Sequence, residues 1–390
     1  MSNNKARGAY KLIIYLISCA LAGKKPDKSL IDVSLLEGVR IIAARHSLSA
    51  IVAYALETVG LADAALAEEK NHAIKKTILL DAERRAILAE CDKRGIRYMP
   101  LKGVIMKELY PYIGLRQMSD NDILIDEHNR ADLKDIMVSR GYSVYMFGES
   151  NHDVYLKEPV YNYEIHVSLF GDNFDLRFKE YFSSAFDEAV AVSENGLHYA
   201  MTDDYYYVYF KAHEYKHWRG GGTGLRSLVD TYVFLRAKQN VINEAKIKAE
   251  LEKLGMYEYE QKARALSLKL FDPDFAERNL KEEMLTDDEA YFLDDFILHG
   301  TYGSVRKSIE NSVQKLIDDD EKGSAGKAKL SYVFSKVFRP MEFYEKNHPI
   351  AYKYKILIPF VIIKRIFAMI FVRPKSSFGI LKTVFKYKKK

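Results

Sequence analysis

Apolar residues in the first quarter of the chain recur at the spacing of helices. Leu35, Val39 and Ile42 follow one another at intervals of four and three residues, which places them on one helical face. Few Gly or Pro residues interrupt this part of the chain. The pattern predicts an N-terminal helical region over residues 1–95.

Short apolar runs then alternate with helical spacing. Residues 121–126 and 142–147 have the composition of strands, and residues 153–170 contain two further strand candidates. The stretch 127–141 has helical spacing and ends in a Gly. We expect residues 96–170 to form a small unit in which strands and helices alternate.

Helical spacing returns in the remainder of the chain. Five segments between residues 205 and 300 show it, with Gly or polar residues between them. A charged stretch with Gly, Ala and Ser at residues 318–329 is typical of a linker. We therefore predict a helical domain at residues 171–322 and a separate C-terminal segment at residues 323–390.

Composition excludes several classes of protein. The chain has 390 residues, of which 48% are apolar and 29% charged, so it is neither disordered nor fibrous. Two cysteines, Cys19 and Cys91, cannot build a disulfide framework or a four-cysteine zinc site. An apolar run at residues 12–22 lacks a clear signal-peptide cleavage site and is too short to span a membrane. We interpret it as a core-facing helix of a cytoplasmic protein.

Charge is distributed unevenly. The net charge is +5, but residues 327–390 contain 16 Lys or Arg and two Asp or Glu, a net of +14, which leaves −9 for residues 1–326. Apolar runs at 356–363 and 366–372 are split by Lys364 and Arg365, which argues against a spanning helix. The alternatives for this basic tail are a peripheral contact with the inner membrane face, a contact with nucleic acid or another polyanion, and packing on the acidic body.

Three acidic residues carry the clearest chemical signal. On a strand, Asp120 and Asp122 project to the same side. Carboxylates held so close repel each other unless a cation lies between them, and Mg²⁺ binds one or two carboxylates together with phosphate oxygens. Glu164 lies on another predicted strand. If the two strands pair, three acids converge and can hold two metal ions for phosphoryl transfer.

A series of motifs along residues 95–235 identifies a family. A Lys-Gly turn, a short helix with Tyr-Pro, an Arg, Asp-x-Asp-hydrophobic and Glu-hydrophobic-His follow in order. This series resembles the nucleotidyltransferase superfamily, with its polymerase-beta-like palm, and more narrowly a bacterial group labelled uncharacterised nucleotidyltransferase. The common pattern has Gly-Gly or Gly-Ser at the turn and an apolar residue between the acids, whereas this chain has Lys102-Gly103 and Asn121.

The resemblance implies a fold, a reaction and site residues. The fold is α+β, a small mixed-sheet palm at residues 96–170 flanked by N- and C-terminal helical regions. The reaction is attack of a hydroxyl on the α-phosphate of an NTP, with Mg²⁺ or alternatively Mn²⁺ as cofactor. The implied catalytic and metal-binding residues are Asp120, Asp122 and Glu164. Gly103 lets the backbone approach a phosphate, and Lys102 and Arg116 are the cationic partners for the triphosphate.

Other residues near these motifs are secondary candidates for substrate contact or support. His166 shares the strand face of Glu164. Downstream, the resemblance places an HxxxH and then an LR-x-x-x-D stretch, here His213, His217, Arg226 and Asp230.

Three alternative functions remain open from the sequence. His213 to His217 spell H-E-x-x-H, the zinc-protease motif. A D-x-D glycosyltransferase would bind a nucleotide-sugar diphosphate through Mn²⁺, and would leave Glu164 unexplained. A non-catalytic protein that binds a membrane surface or nucleic acid would keep the fold without turnover. The NTP base, the hydroxyl acceptor and the oligomeric state are not encoded in any pattern we recognise.

Overall fold

The computed structural model describes residues 3–172, 174–300, 305–318, 325–367, 371 and 374–387. The described residues fall into two compact units, one within Met1–Lys216 and Gly224–Thr301, the other within His217–Thr223 and Tyr302–Lys390. The fold is mixed α+β, as predicted. The division at residues 95, 170 and 322 stays a prediction, and the last of these boundaries lies outside the described residues.

The chain begins with helices that form part of the first unit's core. They are α1 (Asn3–Leu21), α2 (Leu36–Arg45), α3 (Ser49–Glu57) and α4 (Ala64–Lys93). The apolar run in α1 is buried, with Leu12, Leu16 and Ile17 fully enclosed, which confirms that it is a core helix. Asp63 caps α4 by accepting a hydrogen bond from the amide of Leu66 at 3.0 Å.

A five-stranded mixed sheet follows. Its strands are β1 (Tyr98–Pro100), β2 (Asn121–Ile125), β3 (Ser143–Met146), β4 (His152–Lys157) and β5 (Tyr161–His166), in the spatial order β1-β2-β5-β4-β3. Helix α5 (Gly103–Met106) lies between β1 and β2, and α6 (Arg130–Ser139) between β2 and β3. Strands β2 and β5 are parallel, and the other three neighbouring pairs are antiparallel. Two strands far apart in sequence therefore meet at the centre of the sheet.

One face of the sheet is apolar. Ile123 on β2 and Tyr163 and Ile165 on β5 are buried in one cluster with residues of α4 and α6. The hydroxyl of Tyr163 donates to the carbonyl of Leu80 on α4 at 2.9 Å, so the polar end of this buried ring is satisfied. Because side chains alternate along a strand, Asp122 and Glu164 point to the opposite face.

The rest of the first unit is a small hairpin and a set of helices. The elements are α7 (Leu176–Tyr181), β6 (Ala189–Ala191), β7 (Tyr199–Met201), α8 (Asp203–Arg219), α9 (Leu225–Lys238), α10 (Glu244–Lys253), α11 (Tyr257–Leu270), α12 (Pro273–Lys281) and α13 (Asp287–His299). The last three residues of α8 belong to the second unit. The five predicted helical segments are confirmed as α8, α9, α10, α11 and α13, whereas the β6–β7 hairpin was not predicted.

The second unit is helical. It contains α14 (Val305–Asp318), α15 (Ala325–Val337), α16 (Met341–Asn347), α17 (Pro349–Lys353), α18 (Ile358–Phe367) and α19 (Pro374–Lys386). Its core is a cluster that includes Ile309, Val313, Tyr332 and Val384. Within the described part of the chain, no helix is both long enough and apolar enough to cross a membrane.

Candidate active site

The strand register brings the acidic residues together. In the parallel β2–β5 pair, Asp122 lies opposite Glu164 and Leu124 opposite His166. Strand β4 adds His152 opposite His166. Because these positions alternate with the apolar ones, Asp122, Glu164, His166 and His152 occupy one face of the sheet.

Three of these side chains form a compact group. Nε2 of His166 lies 2.9 Å from Oδ1 of Asp122 and 3.7 Å from Oε2 of Glu164. One ligand atom from each of the three residues lies within 4.8 Å of the others. Asp122 and His166 are buried and Glu164 is half-buried. Among the described residues, no other group of three or more His, Cys, Asp or Glu side chains is close enough to hold a metal ion.

Lys102 supplies the positive charge of this group. Its Nζ lies 2.6 Å from Oδ1 of Asp122 and 3.8 Å from Oε2 of Glu164. The carbonyl of Lys102 accepts a hydrogen bond from the hydroxyl of Tyr206 on α8 at 2.9 Å. The amide of Leu101 donates to the carbonyl of Asp122 at 2.9 Å. The turn after β1 is thus attached to β2 and to α8, and its ammonium lies against both acids.

The pKa values follow from this arrangement. Burial favours the neutral form of Asp122, but the Lys102 ammonium and the hydrogen bond to His166 outweigh it and hold the pKa of that carboxyl well below its usual range. The pKa of Glu164 is also lowered, because His166 and Lys102 outweigh burial and the negative charge of Asp122. Both acids therefore stay ionised at neutral pH.

Asp120 differs from the two strand acids. Strand β2 begins at Asn121, so Asp120 lies one residue before the strand on which the sequence placed it, and it is not part of the compact three-residue group. Burial and the negative charge of Asp122 raise the pKa of Asp120 to about 6, although Lys102 opposes this. The local negative charge is therefore only partly compensated at Asp120.

Asn121 explains one departure from the superfamily pattern. Its side chain is buried, and its Oδ1 accepts a hydrogen bond from Nη1 of Arg84 on α4 at 2.9 Å. The same Arg84 atom donates to Asp81 at 2.7 Å. An apolar residue at position 121 would leave Arg84 without this acceptor, so the asparagine is matched to the neighbouring helix.

The turn at Lys102 is strained. Lys102 has φ 48° and ψ −117°, a combination that favours glycine. The next residue, Gly103, is needed for packing, because a Cβ there would lie 2.7 Å from Nη1 of Arg116 and 3.1 Å from Cε of Met118. The backbone strain at Lys102 holds its ammonium over the acids, and the missing side chain of Gly103 leaves room for Arg116.

Arg116 is committed to a buried ion pair. Its Nε and Nη2 donate to the two carboxylate oxygens of Asp230 on α9, each at 2.9 Å. The hydroxyl of Tyr110 donates to the same carboxylate at 2.7 Å. Arg226, which the sequence could pair with Asp230, donates instead to the carbonyl of Gln117 at 3.1 Å. The LR-x-x-x-D stretch therefore holds the 110–117 segment in place.

The H-E-x-x-H motif does not form the centre of a zinc protease. Such an enzyme needs Glu214 beside the metal as a general base. Glu214 is buried, and it accepts from Lys211 and from the hydroxyl of Tyr259, each at 2.7 Å. Burial raises its pKa. The motif lies on α8, but its acid belongs to the packing of α8 against α11.

Two further residues lie near the acids. The ring of His152 lies 5.1 Å from that of His166, centroid to centroid, and its Nε2 lies 4.0 Å from Oε2 of Glu164. Lys216, near the end of α8, has a pKa lowered by burial and by the charge of Lys102. Strand alternation from Val154 could have identified His152. Lys216 belongs, with His217 and Arg219, to a cationic helix end that the sequence offers as a contact for a phosphate or acceptor.

The protein is thus an α+β protein whose mixed sheet presents an acidic, metal-capable group beside a Lys-Gly turn. The family model described as "Uncharacterised nucleotidyltransferase" matches residues 38–272, and the chain belongs to this family. The match includes the sheet and helices on both sides of it. The comparison with curated proteins and the comparison with solved structures each return no match.

The strain at Lys102 predicts an unusual response to glycine. Lys102→Gly and Lys102→Ala both remove the ammonium. The difference between their free energies of unfolding therefore reports the cost of the backbone conformation at this position. We expect the Gly variant to be more stable by about 1–2 kcal/mol, measured by urea unfolding. At exposed Lys75 within α4, the order should reverse, with Ala more stable by about 0.5–1 kcal/mol. Equal stability of the two Lys102 variants would contradict the strain.

The burial of Arg116 predicts a large cost for its removal. Arg116→Met leaves the Asp230 carboxylate buried without its cation, and we expect a loss of about 3–5 kcal/mol in the free energy of unfolding. The double variant Arg116→Met/Asp230→Asn should recover much of the lost free energy of unfolding, because it also removes the unpaired buried charge. Arg97 makes a similar two-point contact with Asp126 but is 40% exposed, so Arg97→Met should cost only about 1 kcal/mol. Similar losses at both sites would refute the structural role.

Proposed function

We propose that the protein transfers a nucleoside monophosphate from an NTP to a hydroxyl acceptor, with release of pyrophosphate, at the Asp122–Glu164 group. The observation that carries the proposal is the register of β2 and β5, which sets two ionised acids side by side on one face. Family membership supports the use of a nucleotide. The small number of cysteines supports a cytoplasmic setting.

The residues of the site fit a divalent cation. Asp122 and Glu164 provide the carboxylate oxygens that Mg²⁺ prefers, and the imidazole of His166 is a ligand that Mn²⁺ also accepts. Burial, together with the negative charges of Asp122 and Glu164, raises the pKa of Asp120 even though Lys102 opposes this, and a bound cation would favour the ionised form of Asp120. When bound, such an ion polarises the phosphoryl oxygens and favours ionisation of the acceptor hydroxyl.

In this proposal the acids hold the cofactor and receive the proton. Asp122 and Glu164 are its principal ligands, and Asp120 adds a third carboxylate from the start of β2. The acceptor oxygen forms a bond to the α-phosphorus, and the bond from that phosphorus to the oxygen bridging the α- and β-phosphates breaks. The hydroxyl proton passes to a carboxylate of the group, and pyrophosphate carries away the displaced charge.

Lys102 has two roles in this scheme. In the structure its ammonium neutralises Asp122 and Glu164. With Asp122 and Glu164 holding a divalent cation, the ammonium of Lys102 would be available for the phosphate oxygens. Arg116 was the other expected phosphate partner, but its Nε and Nη2 are used by Asp230. We assign the second cationic role to Lys216, which interacts electrostatically with both Lys102 and Glu164.

The D-x-D glycosyltransferase alternative has weaker support. It uses one acidic pair and gives no role to Glu164, whereas Glu164 lies directly opposite Asp122 in the sheet. The family match also points to nucleotide transfer.

Removal of either strand acid should abolish transfer. We expect Asp122→Asn and Glu164→Gln to lower the rate at least about 100-fold, because each weakens cation binding. The measurement is transfer of label from each α-labelled NTP, in Mg²⁺, to the protein itself, tRNA or cell metabolites. The exposed carboxylates of Glu108 and Asp172 supply controls, and Glu108→Gln and Asp172→Asn should retain full transfer. Undiminished labelling by Asp122→Asn would refute the mechanism.

Loss of the lysine should separate cation binding from turnover. Lys102→Met removes a positive charge beside the acids, so we expect Mn²⁺ to bind at least about tenfold more tightly, while transfer slows. Binding is measured by titration, from the electron paramagnetic resonance signal of free Mn²⁺. Lys75→Met, on the exposed side of α4, should change neither quantity. An unchanged Mn²⁺ affinity in Lys102→Met would show that the ion binds elsewhere.

A further inference from the structure

An exposed apolar stripe runs along α18 of the second unit and the short 3-10 turn, Lys355–Leu357, directly before it. Ile356, Phe360, Ile363 and Phe367 recur at intervals of four, three and four residues, which places them on one helical face. Their exposed fractions lie between 59% and 80%. Large apolar side chains in a continuous exposed row mark an interaction surface. We call these four residues the α18 stripe.

A second exposed row lies on the neighbouring helix α15 and ends at the residue directly after it. Leu330, Phe334 and Phe338 are each more than half exposed, and the rings of Phe334 and Phe338 stack with centroids 5.4 Å apart. Helices α15 and α18 are in contact, and Nη2 of Arg365 donates to the carbonyl of Lys336 at 2.9 Å. Two helices that pack together in the second unit therefore each carry an exposed apolar row.

Positive charge borders the stripe. Lys353, Lys355 and Lys364 are exposed immediately before it or within it. Residues 327–390 carry a net charge of +14 with only two acidic residues. The partner must therefore be anionic as well as apolar.

The side chains of the α18 stripe and its border favour a lipid bilayer over nucleic acid or a second copy of this chain. Only two of the four stripe residues have a ring that could stack on a base, whereas all four side chains can be buried in hydrocarbon. A second copy of this surface would bring like charges together. A bilayer with anionic headgroups offers both hydrocarbon for the stripe and negative charge for the lysines. Lys364 lies beside Ile363 and can extend to the headgroups while the stripe is immersed.

We propose that the second unit binds the surface of an anionic lipid bilayer through the α18 stripe, with the helix lying in the interface. Helix α18 has 10 residues, and Lys364 and Arg365 lie near its end, so the segment enters one leaflet without crossing. This surface is separate from the acidic group on β2 and β5, and the proposal stands whether or not nucleotide transfer is correct.

The test is flotation of the purified full-length protein with vesicles at about 150 mM salt. Vesicles of phosphatidylcholine alone are compared with vesicles that contain about 30% phosphatidylglycerol. The variants are Phe360→Asn/Ile363→Asn in the stripe and, as a matched control, Val33→Asn/Val241→Asn at exposed apolar positions of the first unit. Circular dichroism and the unfolding midpoint establish that both variants fold. Lys353→Gln/Lys355→Gln tests the charge separately.

The wild-type protein and the Val33/Val241 control should float with the anionic vesicles, with at least about tenfold less binding to phosphatidylcholine alone. The stripe variant should lose at least about tenfold in binding, and the lysine variant should bind less at the same salt. Flotation of the stripe variant equal to wild type would overturn the proposal. Two other results would also overturn it. One is a dimer of the wild-type protein in light scattering that is absent in the stripe variant, and the other is binding of the protein to tRNA but not to the vesicles.

Discussion

The structure depends on the neutralisation of two carboxylates that the sheet forces together. Asp122 and Glu164 lie opposite each other in the parallel β2–β5 pair, and Asp122 is buried. Like charges at this separation and in this environment destabilise the fold unless a cation compensates them. Lys102 provides it at 2.6 Å from Asp122. A charge arrangement that needs a cation even without substrate is suited to hold a divalent one.

The residues around Lys102 hold its turn in the conformation that places the ammonium beside the acids. Lys102 follows β1 directly and adopts a backbone conformation with φ 48°, which persists only when its surroundings enforce it. Tyr206 holds its carbonyl, and the Arg116–Asp230 pair fills the space over Gly103. A buried ion pair is a weak source of stability but strongly penalises any rearrangement that separates it. The pair therefore fixes the turn, and α9 contributes to the site through Asp230.

The sequence predicted the elements better than their contacts. Apolar periodicity identified the helices, and the acids at 120, 122 and 164 were found from the Asp-x-Asp spacing and the order of the motifs around it. The parallel register of β2 and β5 could not be read from the chain, since it depends on which strands pair. Asp230 binds Arg116, 114 residues away, in place of its near neighbour Arg226. The H-E-x-x-H motif was misleading because tertiary packing decides which way Glu214 faces, and the three-residue strands of the hairpin are too short to leave a pattern.

The most direct test of the central claim is a crystal structure of the protein with Mn²⁺ and a non-hydrolysable NTP. Our account predicts an anomalous Mn²⁺ peak bound by carboxylate oxygens of Asp122 and Glu164, with Nζ of Lys102 moved from Asp122 to a phosphate oxygen. A structure in which the nucleotide and Mn²⁺ bind away from these acids, while Lys102 stays paired with Asp122, would contradict it.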